Sequence, residues 1–375
     1  MPAYICTPMK NNASRSDKAV AIWIMTGVGM LIIQILLGGI TRLTGSGLSI
    51  TEWDVITGAI PPLNEQQWLQ EFHKYQQTPQ YRFLNVYFSL SDFKSIFFWE
   101  WFHRLWGRLI GIVFLIPFII FLVQKKFRPY MIRPLVVLFL LGALQGAVGW
   151  IMVASGLTGD AIYVKPTKLA AHFVLACILI SYAFWFGLQL LIKNECLVNA
   201  SRGYKNITRT IIFLLFIQLA FGALMAGHKA APVAPTWPDI NGSLIPAYVF
   251  NRPEGYISTI EDPIVIQFIH RSMAYILFIL LVLWSVKAFR IPSSAIFKKA
   301  RVFPLIFVFI QICLGIFTVL KSNLIKATKW NIFEWLAQLH QLVAIFLLLS
   351  LTAALYLLQT KQNANSKLGI DPQRI

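Results

Sequence analysis

The sequence predicts an all-α integral membrane protein whose eight transmembrane helices form two four-helix bundles, related as a parallel repeat. Hydrophobic residues make up 57% of the 375 residues and charged residues only 13%, against about 25% charged residues in an ordinary soluble domain. A stretch of about 20 mostly uncharged residues matches the hydrocarbon core of a bilayer. Eight such stretches occur, at 19–40, 103–123, 134–154, 169–192, 210–228, 264–286, 302–320 and 335–358.

The first stretch is predicted to be retained as a helix, because it is longer than the apolar core of a signal peptide and lacks a small-residue cleavage site.

Each odd-numbered helix carries a glutamine followed four residues later by a glycine. The pairs are Gln34/Gly38, Gln145/Gly149, Gln218/Gly222 and Gln311/Gly315. Small residues let helices or a flat ligand approach closely, and for this pattern alone we favour helix packing.

Each even-numbered helix carries one histidine near the end that is predicted to face outward. They are His103, His172, His270 and His340. The histidines of the first half are 69 residues apart and those of the second half 70, which indicates a duplicated four-helix unit. Because each unit has an even number of spans, both copies have the same orientation in the membrane.

Lysine and arginine are concentrated on one side of the predicted membrane. With the N-terminus inside, the inner segments hold 19 of the 33 Lys and Arg but only three acids, Asp17, Glu195 and Asp371. Basic inner loops are the positive-inside pattern, so both termini are predicted to be cytoplasmic and the histidines to lie toward the outer side. The net charge of +18 thus reports orientation and predicts no nucleic-acid partner.

The domain organisation follows from these spans. We predict a cytoplasmic N-terminal segment (1–18), an N-terminal four-helix half (19–192) with a long outer loop (43–99), a cytoplasmic linker (193–209), a C-terminal four-helix half (210–358) and a cytoplasmic tail (359–375).

The four histidines are predicted to be metal ligands that hold haem iron. Titratable groups inside a membrane are costly and usually mark a pathway or a cofactor, and histidine is a common axial ligand of haem. We expect His103 to pair with His172 and His270 with His340, which gives one haem site per half. The absence of a Cys-x-x-Cys-His motif argues against covalent attachment. The alternative for any single histidine is a hydrogen-bonded residue at the membrane interface.

The two halves differ beside these histidines. Glu100 lies three residues before His103 and shares a helix face with it, whereas Gln267 occupies the equivalent position in the second half. A carboxylate beside one metal centre only suggests one reactive site and one redox site, where Glu100 could relay protons or stabilise a developing cation. The alternative is an acid that complements a helix N-terminus. Arg104 and Arg271 are candidate partners of haem propionates or snorkelling side chains.

Several segments resemble the haem A synthases, in the branch typical of proteobacteria and mitochondria. The run from Gly38 to Ser49 (GGITRLTGSGLS), followed by Thr51-Glu52-Trp53, is similar to the signature loop of that family. Further similar elements are Glu100-x-x-His103-Arg104, Thr236-Trp237-Pro238 and the other three histidines. The resemblance covers nearly the whole chain. Other bacterial members carry cysteine pairs in their outer loops, which this sequence lacks.

The resemblance implies that a ring methyl of haem O is oxidised to the formyl group of haem A by successive oxygen-dependent hydroxylations. It implies a catalytic N-terminal half, with Glu100, His103 and His172 at the substrate haem. It also implies that His270 and His340 hold a b-type haem that passes electrons. Candidate partners are haem O synthase, cytochrome oxidase assembly proteins and further copies of the chain. The implied location is the cell inner membrane.

Two other functions compete with this one. A dihaem b-type cytochrome that transfers electrons from quinol fits the four histidines equally well, but it does not explain a carboxylate in one half only. A transporter with duplicated halves predicts polar residues near the bilayer centre, whereas the titratable groups here cluster toward one end of the helices.

Overall fold

A computed structural model describes residues 15–52, 57–250, 255–324 and 330–359. In these ranges the chain forms twelve α-helices and no strand apart from an isolated bridge between Ile240 and Ser243. The helices are α1 (Arg15–Leu43), α2 (Glu65–Gln76), α3 (Pro79–Leu84), α4 (Leu90–Val123), α5 (Pro129–Ala154), α6 (Pro166–Leu191), α7 (Arg202–Gly227), α8 (Ser258–Glu261), α9 (Pro263–Arg290), α10 (Ala295–Ala300), α11 (Phe303–Leu320) and α12 (Ile332–Leu357).

Eight of the described helical segments are long and apolar enough to cross a membrane. They correspond one to one to the eight predicted spans, and they confirm the all-α membrane class. Most of the predicted segments 1–18 and 359–375 lies outside the described residues.

Helix α4 begins at Leu90, whereas hydropathy predicted the second span to begin at residue 103. Ser89 caps the helix: its hydroxyl accepts a hydrogen bond from the Asp92 amide, and the Asp92 carboxylate accepts one from the Ser89 amide. This reciprocal capping box starts a helix by hydrogen bonding, which requires no apolar window in the sequence. Glu100 therefore lies about three turns inside α4, and its interpretation as an acid at a helix N-terminus is wrong.

The extension of α4 is held by a small core of its own. Phe93, Ile96 and Phe97 recur at helical spacing and are buried against Trp68 and Phe72 of α2. The predicted outer loop 43–99 is thus largely helical, and its helices pack on the part of α4 that precedes the histidine.

In chain order, the spanning helices comprise a first set (α1, α4, α5 and α6) and a second set (α7, α9, α11 and α12). In the first set α1 packs against α4 and α6, and α5 packs against α6. In the second set α7 packs against α9 and α12, and α11 packs against α9 and α12. The sets meet at the centre, where α6 contacts α7 and α12, and α1 contacts α12. The repeat relationship and the domain limits themselves stay predictions.

Candidate functional site

Each of the four histidines lies against the glycine of one Gln-x-x-x-Gly pair. A Cβ atom added at the glycine would stand 3.3 Å or less from the histidine Cε1 atom. The contacts are Gly38 with His103, Gly149 with His172, Gly222 with His270 and Gly315 with His340, at 3.2, 2.7, 3.3 and 3.0 Å. The 2.7 Å distance at Gly149 is shorter than real Cβ contacts, and the other three are tighter than most of them, so these glycines leave room for an imidazole. The close helix approach predicted for this motif is therefore an approach to the histidine of a neighbouring helix.

The glutamine of each pair contacts the same histidine. The Nε2 atoms of Gln34, Gln145 and Gln218 donate hydrogen bonds to the backbone carbonyls of their histidines, at 3.2, 3.2 and 3.0 Å. The same atoms lie 3.2–3.4 Å from ring nitrogens. Sequence reasoning did not include the glutamines among the site residues. The available signal was their strict alternation with the histidines along the chain.

The fourth histidine has a defined hydrogen bond on one ring nitrogen. The Nδ1 atom of His340 lies 3.1 Å from the backbone carbonyl of Gln311, and because a carbonyl can only accept, Nδ1 carries the proton. The Nε2 atom is then the acceptor of the ring, and the side-chain amide nitrogen of Gln311 donates to it at 3.2 Å. A histidine that binds a metal commonly donates its other ring N–H to such an acceptor.

The second-half histidines are spaced as a metal-binding pair. The ring centroids of His270 and His340 are 6.4 Å apart, with the ring planes at 68°. With about 2 Å for each bond from nitrogen to metal and about 1 Å from nitrogen to ring centre, imidazoles on opposite faces of one metal have centroids about 6 Å apart. The donor set and its spacing therefore fit a haem iron.

The first-half pair is less closely defined. His103 and His172 lie near enough to interact electrostatically, and both are carried on helices that pack against α1. No group of three or more His, Cys, Asp or Glu that could hold a metal occurs in the described ranges. Two imidazoles suffice for a haem, because the porphyrin supplies the other four ligands of the iron.

Glu100 is buried, and both of its carboxylate oxygens have hydrogen-bond or ion-pair partners. Its Oε2 atom accepts hydrogen bonds from the Ser49 amide, the Ser49 hydroxyl and the Ile50 amide, at 2.7, 2.7 and 2.9 Å. Its Oε1 atom pairs with Arg104 at 2.6 Å. Arg104 in turn donates to the carbonyls of Ile50 and Glu52. The carboxylate thus fastens the loop after α1 onto α4, one turn from His103.

The second half repeats this arrangement without the carboxylate. Gln267 is fully buried, donates to the carbonyl of Ala230 at 2.9 Å and accepts from Arg271. Arg271 also donates to the carbonyls of Asp239 and Ala234, at 2.8 and 3.2 Å. In both halves a polar residue and an arginine one turn later hold the loop that follows the preceding odd-numbered span. The side chains differ in charge and in hydrogen-bond direction, since Glu100 accepts from the loop and Gln267 donates to it.

The two helix sets differ in how closely their second and third spans pack against each other. In the second set α9 and α11 pack against each other. Their counterparts α4 and α5 are described in full and make at most a marginal contact. No residue in the most apolar stretch of α4 is buried, and α5 is nearly as open. The second and third spans therefore pack less closely in the first set than in the second.

Comparison with known proteins adds a consistent set of similarities. The family model COX15-CtaA, described as cytochrome oxidase assembly protein, matches residues 21–352. A Heme A synthase of Flavobacterium psychrophilum is 37% identical over 93% of this chain and 99% of its own length. Heme A synthases of Parvibaculum lavamentivorans and Paracoccus denitrificans are 40% and 38% identical, over 84% and 81% of this chain and 90% and 81% of their own lengths.

Proposed function

The chain belongs to the COX15-CtaA family of cytochrome oxidase assembly proteins, and we propose that it is a membrane-bound, haem-dependent oxidoreductase that converts haem O to haem A. The resemblance to haem A synthases seen in the sequence is confirmed by relatives of that name, aligned over most of both chains. Substrate and product are thus haem O and haem A.

The N-terminal half is the proposed substrate site, and the weak packing between α4 and α5 is the observation that carries this assignment. Haem O bears a farnesyl tail that must enter from the bilayer, and haem A must return to it. The proposed route for the tail runs between these two helices, beside His103 and His172, the proposed ligands of the substrate haem.

The C-terminal half is the proposed site of a resident b-type haem. The closer packing of α9 against α11 suits a cofactor that stays bound, and the spacing of His270 and His340 suits two axial ligands. A haem held there supplies one-electron transfer toward the substrate half. The contact of Arg104 and Arg271 with haem propionates stays a prediction.

Glu100 is proposed to act on the reaction in two ways. By holding Ser49 and Ile50, it keeps the loop closed over the His103 end of the site and limits access of water. As the titratable group one turn from His103, it is also the proposed site of proton exchange during the hydroxylations. Gln267 can perform only the first task, which is consistent with chemistry in one half and electron transfer in the other.

The assignment is tested by extracting the pigments of half-specific variants. Purified wild-type protein is expected to contain haem b together with haem O, a hydroxylated haem or haem A. His103→Ala and His172→Ala should lose the farnesylated pigments and retain haem b. His270→Ala and His340→Ala should lose the haem b spectrum.

Two results would contradict this assignment. Loss of farnesylated pigment in His270→Ala but not in His103→Ala would reverse the two halves. A wild-type protein that contains haem b alone would favour the dihaem b-type cytochrome that transfers electrons from quinol.

The proposed setting is the cell inner membrane, with both termini cytoplasmic and the histidines toward the outer side. Haem O synthase is the proposed source of substrate, and cytochrome oxidase assembly proteins are proposed to take up the product. Further copies of the chain are proposed as additional partners.

A further inference from the structure

We propose that each Gln-x-x-x-Gly pair is a histidine seat, in which the glycine makes room for the imidazole and the glutamine accepts the ring N–H, so that the other ring nitrogen is directed at iron. The acceptor is the side-chain amide oxygen at His103, His172 and His270, and the backbone carbonyl of Gln311 at His340. The four seats are Gln34/Gly38, Gln145/Gly149, Gln218/Gly222 and Gln311/Gly315. The inference rests on the proposed haem sites and assigns positioning roles to eight residues around them.

The glycine part of the seat follows from distance. Three other glycines of the same helices, Gly29 in α1, Gly146 in α5 and Gly203 in α7, have nothing within 4 Å of an added Cβ. The seat glycines instead meet an imidazole in every case. Since glycine is the poorer helix former, its use at the seats is explained by the ring that lies against it.

The glutamine part follows from unpaired atoms. In all four seats the glutamine Oε1 atom is buried with no hydrogen-bond partner, which is costly for an amide oxygen. At His270 the ring nitrogen Nδ1 is also buried without a partner. A ring N–H and an amide oxygen satisfy each other once the amide turns about its last torsion. At Gln34, Gln145 and Gln218 this turn exchanges the hydrogen bond from the amide nitrogen to the histidine carbonyl for one from the ring N–H to the amide oxygen. A metal-bound imidazole presents such an N–H.

The seats are not identical, and this provides an internal contrast. His340 already donates Nδ1–H to the backbone carbonyl of Gln311, which no side-chain substitution removes. The Nδ1 atom of His270 has no such backbone acceptor, and the side chain of Gln218 is the proposed acceptor for it. Loss of the Gln218 amide should therefore disturb its histidine more than loss of the Gln311 amide disturbs His340.

The experiment uses the b haem of the purified full-length protein, read by its reduced-minus-oxidised spectrum and midpoint potential. In Gln218→Leu, haem affinity should fall by about 10–100-fold. The potential should become more positive, because an imidazole without an acceptor for its N–H is a weaker base and stabilises ferric iron less. Gln311→Leu should shift the potential less, and Gly222→Ala should lose haem.

Two controls match these variants. Gly203→Ala lies on α7, where an added Cβ meets nothing within 4 Å, and should keep the wild-type spectrum. Gln341→Leu removes a glutamine beside His340 whose amide is bonded to the Ile35 carbonyl instead, and should keep the wild-type potential.

The proposal is overturned if Gln218→Leu and Gly222→Ala retain the wild-type spectrum and potential while His270→Ala abolishes haem. It is also overturned if Gln341→Leu shifts the potential as far as Gln218→Leu. Failure of the proposed function looks different, because the wild-type pigment would then contain no farnesylated haem whatever the seat variants do.

Discussion

The guanidinium of Arg42 in α1 donates a hydrogen bond to the backbone carbonyl of Ala226 in α7. Each residue lies four positions after the glycine of its Gln-x-x-x-Gly pair, Gly38 and Gly222 respectively. Equivalent positions of the two halves therefore meet at the interface, where the first half supplies the charged donor. Arg42 also interacts electrostatically with Glu334 at the start of α12, so it links the first half to two helices of the second.

Arg42→Leu should loosen the two halves. Loss of the donor leaves the Ala226 carbonyl without this hydrogen bond, at a cost of about 1–3 kcal/mol. Thermal unfolding of the detergent-solubilised protein should show a melting temperature lowered by several degrees. Arg82→Leu removes a guanidinium that donates to the side chain of Gln77 on the exposed surface, and it should change the melting temperature little. Equal melting temperatures for both variants would show that Arg42 does not connect the halves.

Gly39→Ala should disturb the contact between α1 and α12. A Cβ at Gly39 would stand 2.7 Å from the Gln341 side-chain oxygen and would also collide with Gln338. These glutamines donate to the carbonyls of Ile35 and Leu36. An added Cβ displaces their amide groups and weakens these hydrogen bonds, and overpacking of this kind costs about 1–3 kcal/mol.

The matched control for this variant is Gly29→Ala in the same helix, where an added Cβ meets nothing within 4 Å. It should be neutral or slightly stabilising, because alanine favours a helix by about 1 kcal/mol over glycine. Comparison of the two melting temperatures tests the seam, and a Gly39→Ala protein as stable as Gly29→Ala would contradict it.

Glu100→Gln should leave haem bound and sharply reduce haem A formation. A glutamine offers one accepting oxygen where the carboxylate serves three donors of the loop and Arg104. Breaking such a buried pair costs about 3–5 kcal/mol, and the variant also removes the proposed proton-exchanging group. Haem A formation is measured from the pigments extracted from expressing cells, and haem binding from the spectrum of the purified variant.

The control for Glu100→Gln is Glu52→Gln. Glu52 lies in the same loop and forms an exposed ion pair with Lys74, the kind of pair that contributes about 0–1 kcal/mol. This variant should form haem A normally. Full activity in Glu100→Gln would mean that the carboxylate only anchors the loop. A glutamine would then anchor the loop equally well, as Gln267 does in the second half.

A reporter fused after residue 375 should be active on the cytoplasmic side. Nineteen of the 33 Lys and Arg lie in the segments predicted to be inner, and this bias sets orientation. A fluorescent protein at the C-terminus should fold and fluoresce, whereas alkaline phosphatase there should be inactive. Fusion in the segment between α7 and α9, for example after Asn241, should give the opposite result. The reverse pattern would place the histidines on the cytoplasmic side.

The sequence by itself determined the membrane class, the eight spans and the four histidines. These depend on hydropathy and spacing within single segments, which are local properties. It also exposed the difference between Glu100 and Gln267, because an internal duplication allows one half to be compared with the other.

Only the tertiary structure decided what these residues touch. The contact of Gly149 with His172, the binding of Ser49 by Glu100 and the weak packing between α4 and α5 depend on which helix faces which. Local periodicity does not encode that choice, because an apolar helix in lipid shows no single buried stripe. The start of α4 at Leu90 was missed for a related reason: hydropathy marks where a chain enters lipid, whereas capping and side-chain packing decide where a helix begins.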